Sequence, residues 1–543
     1  MPLKLSLPKG WLQGSTAAFL EKAGLVYPDY HQSSRSYCPK CPGFPGLFSK
    51  VFQEKDIAIQ VAIGNYDLAI CGLDWIQELL VKYRSDAIVK VRDLGYGQRN
   101  LYAGTSRFSA LHSVEDVKAA PDAVRIVSEY PNLAEAFALK LRLKRFRVLP
   151  VWGATDAYPP EHADLAIVSA ASCEELGERD LIPIAKILTG NAWLIANRSS
   201  LEQKDMSSLL SPFYRTDPVV EAGEELSISE IDSEGEFQES RVKSQVNRLK
   251  VDRLKEGGGS LQPSAFSLRS PDSRLQTVSL ALPDGHQQSH AIKLLKKAGL
   301  KINGYGSATR RPLMDFGEVN SSRESRVETP DSRLQTPDFL VKVIRPQDMP
   351  LQVASGNFDL AITGRDWLRD HLCRFPTSPV QEIADLGFGW VRIVAVVSNN
   401  LPADDTGELR NLLRFGSRES GVRSQESRRG EEDSRLQTLD SRLVLRIASE
   451  YTNIADKYAR DNHLAPYKVI PTWGATEAFL PEDADVLIEN TETGRTLAKH
   501  NLKIIETLFE STGCLIGNSS PSPLKESRIT SLVEILKKGV NSA

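Results

Sequence analysis

The stretch ENTETGRTL (Glu489–Leu497) decides how the end of this chain folds. The residues before it, ADVLI (Ala484–Ile488), form an apolar run typical of a buried parallel strand, and the residues from Thr496 onward predict a helix. A strand, a glycine turn and a helix N-terminus direct unpaired amides at whatever occupies the turn, and a phosphate suits them best. The alternative is an ordinary turn whose threonines cap the helix.

The composition sets limits on the class of protein. A chain of 543 residues is too long for one hydrophobic core, so several domains are expected. Its 67 basic and 70 acidic residues nearly balance, so nothing points to nucleic acid or an anionic membrane as a partner. The six cysteines are scattered, and neither a signal peptide nor a membrane span is predicted. We therefore expect a soluble cytoplasmic protein.

An internal duplication organises the chain. Five motif pairs recur in the same order: LPKG at 7–10 with LPDG at 282–285, LAICGLDW at 68–75 with LAITGRDW at 360–367, DLGYG at 93–97 with DLGFG at 385–389, SEY at 128–130 with 449–451, and WGAT at 152–155 with 473–476. These matches predict a first copy over 1–210 and a second copy over 278–543. The offset between matched positions grows along the chain, so the second copy carries insertions, near 320–336 and 416–442.

The sequence DSRLQT lies in both insertions and in the linker over 211–277. These segments are rich in Ser, Arg, Glu and Gly and poor in apolar residues, so they cannot bury enough surface to fold. We interpret them as a repeated sequence element tolerated in exposed loops. A regulatory or partner-binding role is the alternative.

Short apolar runs alternate with amphipathic stretches in each copy. In the first copy they predict a strand at Lys4–Leu7 and helices at Gly14–Ala23 and Leu133–Leu141. The alternation favours α/β lobes built on largely parallel sheets, which bind ligands at the carboxyl ends of their strands.

Cationic residues follow two of the predicted strands. Lys9 in LPKGWL could meet a phosphate, or it could be a surface lysine of a turn. Arg345 leaves an apolar strand and has Arg311 upstream, so the two could form a polyphosphate clamp or a solvated charge cluster. The second copy has Asp284 where the first has Lys9, and the first copy has Arg35 upstream of its second strand.

Other motif residues have structural alternatives. Asp74 and Asp366 in the two G-x-D-W motifs are expected to cap and orient helices. Glu477 in WGATE could bind a base or ribose edge, or cap a helix. Cys38 and Cys41 are spaced like one of the two ligand pairs of a zinc site. Because no second pair follows at a suitable distance, we expect them to be loop thiols.

Together the segments LPKGWL, RPQDMP, DLAITGRDWL, DLGFGWVR, RIASEY, WGATE and ENTETGRTL resemble the motifs of ATP phosphoribosyltransferase, in that family's order and over nearly all of both copies. The resemblance implies two tandem copies of a two-lobed α/β fold like that of type II periplasmic binding proteins, with reactants in the cleft. It implies condensation of ATP with phosphoribosyl pyrophosphate, with Mg²⁺ on the departing pyrophosphate, as the first step of histidine biosynthesis.

The resemblance also assigns roles to residues. The loop that grips the 5-phosphate and ribose would comprise Glu489, Asn490, Thr491, Glu492, Thr493, Gly494, Arg495 and Thr496, with Glu477 also binding substrate. Arg311 and Arg345 would neutralise the pyrophosphate and the ATP phosphates as the catalytic residues. Short members of the family depend on a regulatory subunit related to histidyl-tRNA synthetase, so such a partner is expected here.

The loop of the first copy departs from the pattern. When the copies are aligned at the offset of the SEY and WGAT motifs, Cys173 occupies the position of Gly494 and Glu175 that of Thr496. Val168 occupies the position of Glu489. We expect the first copy not to bind phosphoribosyl pyrophosphate, because its glutamates repel phosphate and its backbone lacks glycine.

The two copies are therefore expected to form a covalent pseudo-dimer or a larger assembly. The second copy would hold the main site, and the first would lend Arg35 or Lys9. The alternative function is a non-catalytic module or regulatory paralogue that senses a nucleotide or another anion with the same two-lobed fold.

Deleting 416–442 should leave the activity of the purified chain unchanged, because a passenger insertion contributes no packed surface. Steady-state assays of the deletion variant beside the full chain measure this. Loss of activity would refute the passenger interpretation.

Overall fold

The computed structural model describes residues 2–83, 86–216, 277–307, 309–315, 339–419 and 444–541. Most of the predicted linker and of both predicted insertions lies outside these residues. A helix at Ser207–Arg215 covers the first residues of the predicted linker, and a helix at Thr406–Glu419 reaches the start of the second insertion.

The described residues pack into two compact units. The first unit contains the described residues up to Thr277 together with 303–307, 309–314 and 339–345; the second contains Val278–Ile302, Asp315 and the described residues from Pro346 onward. We call residues 303–307, 309–314 and 339–345 the arginine segment. This segment belongs to the second copy in sequence, but it packs with the first copy.

Two five-stranded sheets form the two lobes of the first unit. The strands are β1 (Leu3–Lys9), β2 (Leu47–Gln53), β3 (Leu68–Gly72), β4 (Ile88–Asp93), β5 (Arg99–Ser106), β6 (Val124–Ser128), β7 (Phe146–Pro150), β8 (Leu165–Ala170), β9 (Leu181–Gly190) and β10 (Ala192–Asn197). Their orders are β2-β1-β3-β10-β4 and β7-β6-β8-β5-β9. The chain therefore crosses between the lobes after β4 and again after β9.

The helices of the first unit cover these sheets. They are α1 (Gln13–Lys22), α2 (Glu54–Ala62), α3 (Leu73–Lys82), α4 (Val114–Ala119), α5 (Pro131–Lys140), α6 (Cys173–Glu178), α7 (Arg198–Gln203) and α8 (Ser207–Arg215), with a 3₁₀ turn at Thr155–Ala157. Strand β1 and helices α1 and α5 confirm the predicted elements to within two residues at each end.

The second copy repeats this plan. Its strands are β11 (Val278–Pro283), β12 (Lys301–Asn303), β13 (Leu313–Asp315), β14 (Phe339–Ile344), β15 (Leu360–Gly364), β16 (Val380–Asp385), β17 (Val391–Ser398), β18 (Leu445–Ser449), β19 (Tyr467–Pro471), β20 (Val486–Thr491), β21 (Leu502–Ser511) and β22 (Gly513–Asn518). Within the second unit β11, β15, β22 and β16 lie side by side in that order, and the other sheet has the order β19-β18-β20-β17-β21. The two-lobed fold resembling type II periplasmic binding proteins therefore occurs twice in tandem, as predicted.

Helices of the second copy follow the same sequence. They are α9 (Gln288–Lys297), α10 (Met349–Ala354), α11 (Arg365–Arg374), α12 (Thr406–Glu419), α13 (Thr452–Asp461), α14 (Arg495–Lys499) and α15 (Glu526–Asn541), with 3₁₀ turns at Gly285–Gln287 and Thr476–Phe479. The order of strands and helices matches the first copy except that β12 and β13 have no counterparts there and α15 stands alone where the first copy has α7 and α8.

The prediction of largely parallel sheets is incomplete. Strand β1 runs parallel to β2 and β3, but β10 returns from the other lobe and runs antiparallel to β3 and β4. Likewise β20 is parallel to β18 and antiparallel to β17. Both kinds of strand are apolar runs buried by the layers on either side, so hydrophobicity alone could not give their direction.

A hydrogen bond joins the two lobes of each copy. The Tyr130 hydroxyl donates to Asp74 Oδ2 at 2.7 Å, and the Tyr451 hydroxyl donates to Asp366 Oδ2 at 2.6 Å. The tyrosine ring also packs on the tryptophan after each aspartate, with centroids 4.3 Å apart in both copies. Gly72 and Gly364, not the aspartates, are the N-cap residues of α3 and α11. The aspartates nevertheless accept first-turn amides, Asp74 Oδ1 from Trp75 at 2.9 Å and Asp366 from Trp367, so the expected helix role is confirmed in part. These aspartates hold the lobes together.

A second acid on the same helix caps a helix of the other lobe. Glu78 accepts hydrogen bonds from the backbone amides of Asn132 and Leu133 at the start of α5. Asp370 does the same for Asn453 and Ile454 at the start of α13. The carboxylate thus satisfies amides that the first turn of a helix leaves unpaired.

Replacing Tyr451 by Phe should lower the free energy of unfolding by about 1.5–3 kcal/mol, because a buried carboxylate loses a short hydrogen bond. Urea unfolding followed by fluorescence measures the change. The matched control is Tyr467→Phe, which removes the 2.7 Å bond of a less buried tyrosine to Asp456. Equal effects of the two variants would contradict the importance of the link between lobes.

Candidate functional site

The glycine turn after β20 has the backbone that a tight anion loop needs. Gly494 has φ 73°, a left-handed conformation, and helix α14 begins at the next residue. A Cβ atom at Gly494 would meet no atom closer than Ile504 Cδ1, at 3.9 Å, so glycine is required for its backbone angle rather than for space. The predicted strand, turn and helix are all present.

The turn supplies donors at close range. The Thr491 hydroxyl oxygen accepts a hydrogen bond from the Gly494 amide at 2.9 Å, which leaves the hydroxyl proton available for donation. Helix α14 has only five residues, so its dipole is short. The amides at the start of α14 and the threonine hydroxyls are therefore the main hydrogen-bond donors that the turn could offer an anion.

Three glutamates lie together beside this turn in the second unit. Burial, and after it the neighbouring carboxylates of Glu450 and Glu477, together raise the pKa of Glu489 to about 8, against a hydrogen bond from Thr476. Burial, with the charges of Glu477 and Asp366, raises the pKa of Glu450 to about 7. Protons held by this group lower the negative charge at the turn, which makes the site more favourable for a phosphate.

The corresponding turn of the first copy is closed by its own side chains. Ser172 is the N-cap of α6 in an extended conformation, and its hydroxyl accepts from the Glu175 amide. The Glu175 carboxylate accepts from the Ala171 amide at 2.7 Å and pairs with Arg99 at 3.1 Å and with Arg179. An internal carboxylate therefore takes the amide and the charges that a phosphate would use.

A cavity of about 780 Å³ lies in the first unit beside this closed turn. Its lining combines residues of the first copy with the arginine segment, and the basic residues among them are Lys9, Lys55, Arg99, Arg179, Arg310, Arg311 and Arg345. Carboxylates balance several of these cations: Glu129 pairs with Lys55 at 2.7 Å, and Glu161 pairs with Arg311 at 2.9 Å. Polar and charged residues thus dominate the lining of the cavity.

The structure divides the predicted site residues between the two units. Lys9, Arg311 and Arg345 line the cavity of the first unit, whereas Glu477 and all of Glu489–Thr496 lie in the second unit. The Lys9 ammonium is 3.2 Å from the Tyr37 hydroxyl. Arg35 belongs to the first unit with an exposed side chain, and it does not line the cavity.

Sequence reasoning missed two acidic residues, Glu450 and Glu161. Glu450 lies in the SEY motif, and the repetition of that motif was the available signal. Glu161 meets Lys342, a residue of the predicted cationic cluster before Arg345, across a contact between distant parts of the sequence that no local pattern predicts.

The described residues form neither a cluster suited to a metal ion nor a helix suited to cross a membrane. Across these ranges, no three His, Cys, Asp or Glu side chains are arranged to hold a metal ion. Cys38 is exposed and Cys41 is buried, and neither forms a disulfide bond with another described residue. In the same ranges no helix has the length and apolar character required to cross a bilayer.

The fold and the turn define a class: a two-lobed α/β protein, duplicated, with a strand-end glycine turn suited to a phosphate. The family model of ATP phosphoribosyltransferase matches residues 53–214 and 345–538, one region in each copy. The chain belongs to the ATP phosphoribosyltransferase family.

Individual relatives each match about half of the chain. An ATP phosphoribosyltransferase of Moorella thermoacetica is 28% identical over 263 residues, covering 48% of this chain and 92% of that protein. One of Chlorobium phaeovibrioides is 28% identical over 274 residues, covering 49% and 73%. Among solved structures, the ATP phosphoribosyl transferase (HisG:HisZ) complex from Thermotoga maritima is 18% identical with a TM-score of 0.33, covering 49% of this chain and 100% of that chain.

Raised carboxyl pKa values predict a loss of stability as pH rises. Glu489 and Glu450 bind protons more tightly in the folded chain, so their stabilising effect is complete below the ordinary pKa of 4.5 and is lost as pH rises through about 7 to 8. The urea concentration at the unfolding midpoint should therefore decrease as the pH is raised from 5 to 8.5. Glu489→Gln should make that decrease smaller. Glu492→Gln, at an exposed position of the same loop, should keep the wild-type slope. A wild-type slope in Glu489→Gln would contradict this assignment.

Proposed function

We propose that this chain transfers the phosphoribosyl group of phosphoribosyl pyrophosphate to ATP, and that the second copy holds the phosphoribosyl group. Family membership supports the reaction, which opens histidine biosynthesis. The observation that carries the assignment to the second copy is the contrast between the two turns. One has a glycine at φ 73°, and the other has an extended serine cap closed by Glu175.

The proposed chemistry requires charge stabilisation more than proton transfer. Adenine N1 of ATP forms a bond to the anomeric carbon of the ribose, and the bond from that carbon to the pyrophosphate oxygen breaks. Donors of the turn from Thr491 to Thr496 would hold the 5-phosphate, with Glu489 and Glu477 toward the ribose or base. Arg311 and Arg345 would neutralise the leaving pyrophosphate, with Lys9 or Arg35 of the first copy in support.

A magnesium ion fits this proposal as a companion of the substrate. Mg²⁺ in proteins commonly keeps its waters and uses one or two carboxylates together with substrate phosphates. Glu489 of β20 and Glu477 interact beside the turn, and they would supply such carboxylate oxygens once ionised. When bound, the ion would neutralise charge on the pyrophosphate.

The resemblance to short family members also supports a partner. We propose that a regulatory subunit related to histidyl-tRNA synthetase binds this chain and stimulates it. Adding such a subunit to the purified chain and measuring the turnover number tests this, and equal turnover with and without it would contradict the proposal.

A second function is favoured by one specific observation. Arg310, Arg311, Arg345 and Lys9 line a cavity whose neighbouring turn is closed by Glu175. That cavity could take a nucleotide or another polyanion without turnover, as a non-catalytic binding module would. The decisive experiment incubates the chain with ATP, Mg²⁺ and phosphoribosyl pyrophosphate, with and without the regulatory subunit. Formation of phosphoribosyl-ATP is measured by its absorbance. Product formation supports the enzyme; binding without product in any combination supports the module.

The two copies should respond differently to changes at the matched loop position. Gly494→Asp should abolish product formation, because a left-handed backbone costs a side-chain residue about 1–2 kcal/mol and the added carboxylate repels phosphate. Cys173→Gly is the matched control and should leave the rate almost unchanged, since Glu175 still closes that turn. Initial rates at saturating substrates measure both. A Gly494→Asp variant with the wild-type rate would locate the site elsewhere.

A further inference from the structure

A lysine of the arginine segment is completely buried in the first unit. Lys342 lies on β14, three residues before Arg345, with a side-chain exposure of 0%. Its ammonium donates to the Ala157 carbonyl at 2.6 Å, to the Tyr158 carbonyl at 3.1 Å and to Glu161 Oε2. All three ammonium protons therefore have acceptors on the first copy.

The same glutamate binds a second part of the arginine segment. Glu161 Oε1 accepts from Arg311 Nη1 at 2.9 Å, and the Glu161 side chain is only 10% exposed. One carboxylate thus joins β14 to the stretch around Arg311, although 31 residues separate Lys342 from Arg311 in the sequence. Nearby, Arg125 is occupied by Asp164, which it meets at 2.8 Å.

Because these charges are buried, each of them needs its partners at close range. A charge taken out of water must recover its hydration energy from close partners, and the loss of one partner leaves the other charge buried and unpaired. A carboxylate held by two cations has little freedom to turn, so both cations are fixed by it. The geometry therefore restricts where the two parts of the arginine segment can lie.

We propose that Glu161 of the first copy is a positioning residue, which fixes Arg311 directly and fixes β14, and with it Arg345, through Lys342. This inference rests on the proposed function, in which these two arginines neutralise pyrophosphate. It gives the first copy a role that does not depend on its own closed turn.

The charge state of Glu161 agrees with this role. Burial alone would raise the pKa of Glu161, but the charges of Lys342 and Arg311 outweigh it and lower the pKa to about 2. Burial lowers the pKa of Lys342 to about 7, although the Glu161 charge opposes that fall. The contact of Glu161 with Arg311 therefore keeps both charges over the assay range, and the contact with Lys342 is a full ion pair below about pH 7.

The Arg345 side chain needs space on the first copy, and Gly153 provides it. Gly153 lies against the Arg345 side chain, and a Cβ atom there would be 2.8 Å from Arg345 Nε. The glycine of the first WGAT motif thus leaves room for the guanidinium. Glu161 fixes strand β14, and Gly153 leaves room for Arg345, the residue that follows this strand.

The test is Glu161→Gln in the full chain, measured by calorimetric binding of inorganic pyrophosphate and by steady-state kinetics. We expect at least about a tenfold loss of pyrophosphate affinity and of kcat, with a smaller change in KM for ATP, because misplaced groups act mainly on the leaving group. Hydrogen exchange of the amides in 339–344 should become faster. The matched control is Glu129→Gln, which removes a carboxylate of the same cavity that pairs with Lys55 at 2.7 Å.

The outcomes separate the two proposals. Wild-type affinity, kcat and exchange in a folded Glu161→Gln variant would overturn the positioning role, as would equal losses in Glu129→Gln. If Glu161→Gln does not fold, the double variant Glu161→Gln, Lys342→Met removes both charges, and wild-type pyrophosphate affinity in it would overturn the inference. If the wild-type chain makes no phosphoribosyl-ATP but its pyrophosphate binding depends on Glu161, the enzyme proposal fails and the positioning role stands.

Discussion

The hydrogen bond between a buried aspartate of one lobe and a tyrosine of the other is the constraint on which each copy depends. It occurs at Asp74 with Tyr130 and at Asp366 with Tyr451, at nearly the same length. The chain crosses between lobes twice in each copy, and the bond adds a contact between the lobes beyond these crossings. The carboxylates of Glu78 and Asp370, which cap helices of the other lobe, lie on the same helices and restrain the lobes together with it.

The two copies share this frame but differ at the turn that follows β8 or β20. In the second copy a glycine with φ 73° leads directly into a short helix. In the first copy the helix starts one position earlier, under a serine cap, and Glu175 accepts the amide of Ala171. The two turns thus differ in a few side chains, and the first is satisfied from within the chain, while the strand order of the sheet around each is the same.

Charge is distributed unequally between the two units. The arginine segment contributes Arg310, Arg311 and Arg345 to the cavity of the first unit, where carboxylates of the first copy oppose several of the cations. The second unit has instead a group of glutamates whose pKa values are raised by burial and by one another. The two units therefore carry different sets of charged residues.

The sequence alone determined the duplication, the α/β class, the positions of most strands and helices, and the glycine turn, because these features depend on local periodicity and on one backbone angle. It predicted Glu477 and Glu489 as site residues but not their partner Glu450. It also assigned only capping to Asp74 and Asp366, since a short-range pattern cannot show a tyrosine on another lobe. Only the tertiary structure decided that the arginine segment packs with the first copy through Glu161 and Lys342. The physical reason is that a buried charge is stabilised by partners near it in space, and the sequence places those partners about 180 residues away.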